Sequence, residues 1–353
     1  MSGMLKYFRK HAPELKVVGL VDANPEAAKA RLSEEDQATV RFFDTLDDLV
    51  REAKPDALAI GTRCDSHTPH AIEAAKYDLP LYLEKPVSNS MAQAIALEKA
   101  FQNTRCKALV SFPLRASMLC ERAKHLLNRG AVGRIDHVNA VNYVSYGNVY
   151  FDSWYRDYSI TQGLFLQKAT HDFDYLSYLV GAPIVKVAAM ASHGRVFRDT
   201  KTIAGSPDPD AIYLDGIGTP EEGMNEDSSS ALLEFANGAK GVYTQAFFTK
   251  RLSRRGATLS GYRGSLEFDW YQGKITTFDH QEPFTNVCTA TETDSHFGGD
   301  DRLAKNFISM IREGAEPQVP IGLGLESVYS CLAAKESAET GQFVKVRQLG
   351  AAC

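Results

Sequence analysis

Five short apolar runs alternate with helix-length segments through the first third of the chain, and that alternation leaves few folds open. Residues 15–21 (LKVVGLV), 40–43 (VRFF), 57–61 (ALAIG), 81–84 (LYLE) and 107–112 (KALVSF) have the make-up of strands buried on both faces. Between them, Asn24-Pro25 opens a helix with proline in its first turn, and Asp44 or Thr45 caps a second that Pro55-Asp56 breaks after about Ala53. Further helices are predicted from about His67 to Tyr77 and from about Ser90 to Asn103. Strands separated by single helices pair in parallel through right-handed crossovers, so residues 1–113 predict an α/β domain with a doubly wound sheet.

Residues 114–353 change character. Strand signals follow one another at 135–146, 184–192, 229–236, 239–248, 256–262, 264–270 and 274–279. Asn237-Gly238 and Gln272-Gly273 sit where tight hairpin turns are needed. Helices are expected over about 115–128, 164–179 (closed by Gly181), 301–313 and 323–340. This reads as an α+β domain on a predominantly antiparallel sheet, with the last helix able to pack back on the first domain. Residues 199–227, polar and rich in Pro, Gly and acids, predict a long loop serving as a mobile segment, a lid or an oligomer contact.

Composition narrows the function. The net charge is −5 over 353 residues, and the basic residues are spread without a block, which argues against a nucleic-acid or anionic-membrane face. No apolar run approaches the roughly 20 residues of a membrane span, and MSGMLKYFRKHAPELK holds no signal-peptide core. Cys64, Cys106, Cys120, Cys288, Cys331 and Cys353 form no CxxC, which reads as reduced thiols in a cytoplasmic protein.

Asp22 ends the first run, where a dinucleotide-binding (Rossmann) domain places the carboxylate for the adenosine ribose; taken alone, the residue reads more readily as a cap for the following turn. A strand and a glycine-rich turn should precede it by about 20 residues. Only 14 residues precede Leu15, and Met4, Leu5 and Phe8 among them have helical spacing without any G-x-G-x-x-G. The expectation is a chain that enters the fold inside its first helix, with the first strand and the phosphate-binding amides not encoded in it. Val17, Val18 and Leu20 would then lack a neighbour on one side.

From His67 through Ala74 to LYLEKPVS, the sequence resembles the H-x(6)-A…V-x-x-E-K-P signature of the Gfo/Idh/MocA oxidoreductases. Arg115 in SFPLR, Trp154-Tyr155-Arg156 with Gly163, FLQKATHDFDYL (165–176) and HFGGDDRLAKNF (296–307) resemble that family's later motifs in order. Gln167 and Ala169 stand where the family pattern has Asp and Gly, and Asp78 where it usually has Gly. The resemblance implies NAD(P)-dependent hydride exchange with a secondary alcohol of a sugar or cyclic polyol, a homodimer or homotetramer, and a cis peptide before Pro86.

Such chemistry needs a proton acceptor and groups that aim the C–H at the nicotinamide. Lys85, at a parallel-strand end, is the candidate substrate-oxygen partner, and His171 the candidate proton shuttle. Asp22, His67, Glu84 and Lys85 are candidate cofactor contacts; the Asp22 carboxylate favours NAD over NADP by repelling a 2′-phosphate. Gln167, Lys168, Arg115, Arg156 and Asp174 are candidate substrate contacts, Gln167 and Asp174 sharing a helix face with His171. Lys168 reads either as a hydroxyl donor or as an ion pair to Asp172 or Asp174, and Asp174 also as a cap or salt bridge. Trp154, Tyr155 and Arg156 suit a sugar ring or interface packing. Asp294, His296 and Asp300 look like a turn before a helix, so no metal is expected. Arg251, Arg254 and Arg255 read as a solvated strand end. Two rivals remain: a binding or regulatory member without redox activity, and an NAD-retaining lyase or glycosidase.

Overall fold

A computed structural model describes residues 2–197, 224–291 and 295–351. The first lobe carries five parallel strands, β1 (Gly19–Leu20), β2 (Arg41–Phe42), β3 (Leu58–Ile60), β4 (Leu81–Leu83) and β5 (Ala108–Val110). They form two separate hydrogen-bonded pieces, β1-β2 and β3-β4-β5. β1 pairs only with β2, Val18 is 39% exposed, and Ala59 in the middle of β3 is also exposed. The expected helix ahead of β1 runs Ser2–His11 and buries Met4, Tyr7 and Phe8; Phe8 packs edge-on against Tyr82 of β4.

Side-chain caps fix the helices where expected. Thr45 accepts from the Asp48 amide and Ser90 from the Gln93 amide, satisfying first-turn donors of Leu46–Ala53 and Met91–Gln102. Asp78 takes the left-handed conformation (φ 53°) after the Cys64–Ala74 helix and its 3₁₀ extension, a position suited to glycine. Its carboxylate accepts from Thr104 and from Arg105, which tethers the strained residue.

The second lobe is one nine-stranded sheet of order β13-β12-β11-β10-β6-β9-β8-β7-β14. Its strands are β6 (Ile135–Tyr143), β7 (Ile184–His193), β8 (Glu226–Phe235), β9 (Lys240–Ala246), β10 (Arg254–Gly261), β11 (Gly264–Asp269), β12 (Lys274–Asp279), β13 (Thr285–Thr289) and β14 (Val344–Lys345). All pairs are antiparallel except β6 with β9. Gly238 (φ 91°) and Gly273 (φ 59°) close the two expected hairpins. β13 and β14 went unforeseen: each is short and largely exposed, so neither carries an apolar alternation. Glu226 and Asp227, expected in the long loop, are buried in β8, while 198–223 lie outside the described residues.

One face of this sheet packs on Thr170–Val180 and Ile321–Thr340. The latter helix also reaches the first lobe, where Tyr329 Oη donates to Glu98 and a Cβ at Gly324 would meet Val87 and Val110. One core cluster therefore runs through both lobes.

Candidate active site

The site forms where β4 ends. The Lys85–Pro86 peptide is cis. His67 and Thr68 of the Cys64–Ala74 helix hold the turn: His67 Nδ1 lies 2.8 Å from Pro86 O, and Thr68 Oγ1 donates to Val87 O at 2.9 Å. His67 Nε2 is 3.1 Å from Thr62 O, and burial lowers the pKa of the ring. With both nitrogens against backbone carbonyls and 1% exposure, His67 clamps the turn and is not open to a cofactor, which corrects the sequence expectation.

Lys85 Nζ crosses between the lobes to donate to the Gln167 carbonyl at 2.9 Å. That carbonyl belongs to a π-helical turn, Phe165–Ala169, which runs straight into Thr170–Val180. Such turns disturb the regular helical ladder and free carbonyls for other donors. Gly163 starts the segment at φ 98°; a Cβ there would sit 2.7 Å from the Glu226 carboxylate, which accepts from Leu164 N. Burial lowers the Lys85 pKa; Cys64 and Glu84 oppose the shift and Arg255 adds to it.

His171 lies one turn beyond Gln167. Its ring packs edge-on against Phe112, 5.7 Å between centroids, and its Nδ1 is buried without a protein partner. Burial holds its pKa well below 6.5, with Lys85, Arg255, Lys168 and His296 pushing the same way.

Lys168 is 5% exposed and bonds the Tyr146 hydroxyl, its ammonium 4.6 Å from the Tyr146 ring centre and 5.7 Å from that of Tyr150. Burial drives its pKa well below 10.5, aided by Arg255 and opposed by Asp172. The expected alternative of an ion pair to Asp172 or Asp174 is not what forms. Asp172 accepts from Asn142 Nδ2 (2.7 Å), Tyr243 Oη (2.8 Å) and Arg255 Nε (2.9 Å). Asp174 receives Arg115 Nε at 2.9 and 3.0 Å, and the Arg115 guanidinium lies over Tyr178. Burial pushes the Asp174 carboxyl up to about 6, against the pull of Arg115.

Several candidates are thereby reassigned. Arg115 and Asp174 spend their charges on each other instead of on a substrate. The buried Gln167 amide donates to Cys64 Sγ and the Thr161 carbonyl, so only its backbone serves the cleft. Arg156 is exposed beside a stacked Trp154–Tyr155 pair, 4.0 Å between centroids, and Arg63 lies over Trp154. Glu84 Oε2 accepts from the Lys85 amide. Asp22 is exposed beyond β1 and accepts from Asn24 N at 2.8 Å. Asp294 lies outside the described residues; His296 Nδ1 pairs with Asp300 at 2.8 Å, and no group of metal-binding side chains converges among the described residues.

Sequence reasoning missed Arg255, read as solvated but 5% exposed and bonded to Asp172. The signal was present: Arg255 shares strand phase with Ala257 and Leu259, the core face of β10. It also missed Tyr146 and Tyr150, which come from an irregular 3₁₀ segment without periodicity.

A strand-end lysine, a π-turn and an inward histidine thus meet between a parallel sheet and a mixed sheet. Residues 2–112 match the model of the oxidoreductase family with an NAD-binding Rossmann fold, and residues 120–267 that of the GFO/IDH/MocA C-terminal domain. The chain belongs to the Gfo/Idh/MocA family. It is 23% identical to myo-inositol 2-dehydrogenase of Thermotoga maritima over 354 aligned residues, 96% of this chain and 95% of that one. YteT of Bacillus subtilis is 26% identical over 171 residues, and the match spans 47% of this chain but only 40% of that relative. A levoglucosan dehydrogenase solved with NADH and levoglucosan shares the fold at TM-score 0.79 and 19% identity, over 98% of this chain and 96% of that one.

Proposed function

We propose that the chain is a cytoplasmic NAD-dependent dehydrogenase acting on a secondary alcohol of a sugar or cyclic polyol, with Lys85 and His171 handling the proton. The observation that carries this reading is the 2.9 Å bond from Lys85 Nζ to the Gln167 carbonyl, which sets a strand-end ammonium one turn from His171. The residues fit a nicotinamide dinucleotide at its two ends. One Asp22 oxygen accepts from Asn24 N and the other can accept from ribose hydroxyls, and Glu84 and Lys85 at the end of β4 would contact the nicotinamide. When bound, the nicotinamide supplies a hydride acceptor.

The chain's own residues do the rest. Lys85, desolvated, donates to the substrate oxygen and favours its developing negative charge. His171, neutral at physiological pH because burial lowers its pKa, takes the hydroxyl proton. Inositol- and levoglucosan-processing relatives support a polyol or anhydrosugar substrate. The carboxylate at Asp22 supports NAD over NADP.

Calorimetric titration with NAD, followed by NADH formation over a panel of inositols and pyranoses, tests the reading. Cofactor binding with net reduction is expected. Binding without turnover would indicate a regulatory member, and product without net reduction a lyase or glycosidase.

A further inference from the structure

Three cations meet in the cleft, and their counter-charges are unequal. Arg255 has Asp172, at 2.8 Å. Lys85 has Glu84, whose negative charge acts on it together with that of Cys64 when ionised. Lys168 has a phenol. Its only hydrogen-bond acceptor among the described residues is the Tyr146 hydroxyl, and the carboxylate nearest in influence, Asp172, is already shared among Arg255, Asn142 and Tyr243. An ammonium 5% exposed and without a carboxylate is a poor resting state, because desolvation of the charge goes uncompensated.

Lys168 is covered unevenly. Tyr150 on one side is buried in a cluster with Phe151 and Phe247, whereas Tyr146 on the other is 48% exposed, so one accessible ring stands over the ammonium. An aromatic face of this kind receives the C–H edges of a sugar ring. A ligand oxygen bearing full negative charge is a stronger acceptor for Lys168 than a phenol hydroxyl.

We infer that the substrate is an acidic sugar or polyol whose carboxylate or phosphate is received by Lys168, beside Tyr146. The inference rests on the reading of this cleft as the polyol-oxidising site and adds the charge class of its substrate. Lys168 thereby sets specificity, while Lys85 and His171 face the oxidised carbinol.

Calorimetry on the chain saturated with NADH, with glucose, glucuronate and glucose 6-phosphate as probes, tests it. At least one charged probe is expected to bind about ten- to a hundredfold more tightly than glucose, the span of a charged hydrogen bond. Which of the two binds distinguishes carboxylate from phosphate. Lys168→Met should abolish the preference and Lys168→Arg should keep most of it. If Lys168→Met fails to fold, Lys168→Gln takes its place, and the parent chain's ranking of the three probes still decides whether an anion is preferred. Equal affinity for all three probes, or a preference unchanged in Lys168→Met, overturns the inference. NADH binding is measured first in the same cell. If it fails, the dehydrogenase reading falls, and the anion preference is read on the cofactor-free chain.

Discussion

An ordinary lysine stays charged far above neutrality, and an ordinary imidazole is half-protonated near it; in this cleft burial pulls both downward. His171 is therefore the base form across neutral pH, and protonation is deferred to more acid solution than usual. The acid limb of kcat/KM is expected below pH 6.5, the unperturbed value, and a limb at or above it would contradict the assignment. The same shift links to folding: the unfolded chain binds the His171 proton more readily, so this contribution to stability is complete above pH 6.5 and declines below it. Lys85→Ala and His171→Ala should each lower turnover by about 10²- to 10⁴-fold with little change in melting temperature. Arg115→Leu should do the reverse. Leaving Asp174 buried and unpaired costs about 3–5 kcal/mol, and the double variant with Asp174→Leu should recover much of it. A loss of substrate affinity without loss of stability would return Arg115 to the substrate.

At the scale of elements, the parallel strands are shorter than their apolar runs. Residues 15–21 predict a seven-residue strand, yet hydrogen-bonded pairing covers only Gly19–Leu20. Strand length depends on neighbours, and β1 has one, on the β2 side. Among the described residues no strand pairing joins β1-β2 to β3-β4-β5. A chain with a Val/Ile-rich strand and a glycine-rich turn placed ahead of Ser2 is expected to melt higher and to bind NAD more tightly. Equal affinity of both chains in calorimetric titration would mean that another segment supplies the phosphate site. The π-turn was hidden for a different reason: an apolar pattern over 164–180 fits α and π windings alike, and only the cross-lobe bond from Lys85 distinguishes their consequences.

Across the whole molecule, the nine-stranded sheet has helices on one face, while the other carries Met190 (79% exposed), Leu232 (51%), Val287 (55%) and Phe278 (38%). Beside Phe278 and Val287 a groove of about 300 Å³ also includes Glu267, Lys274 and Thr276. It lies on the open face, away from Lys85 and His171, and suits assembly better than catalysis. A homodimer or homotetramer through this face is the expected state. Sedimentation should show it, and Met190→Lys with Leu232→Lys should yield smaller species with NAD affinity retained. A parent chain that sediments as a monomer would exclude it.

Most of the alternation of strands and helices, the helix starts near Thr45 and Ser90, the hairpin glycines and the residues worth watching were legible in the sequence alone. Each of these is set by interactions a few residues apart, which patterning records. The sequence also placed Lys85 at a strand end and His171 on an inward helix. Only the tertiary structure decided which charges neutralise one another. Asp172 meets Arg255 across 83 residues and Asp174 meets Arg115 across 59, so Lys168 is left with a tyrosine. Pairing of that kind depends on which side chains are desolvated together. No local spacing encodes that.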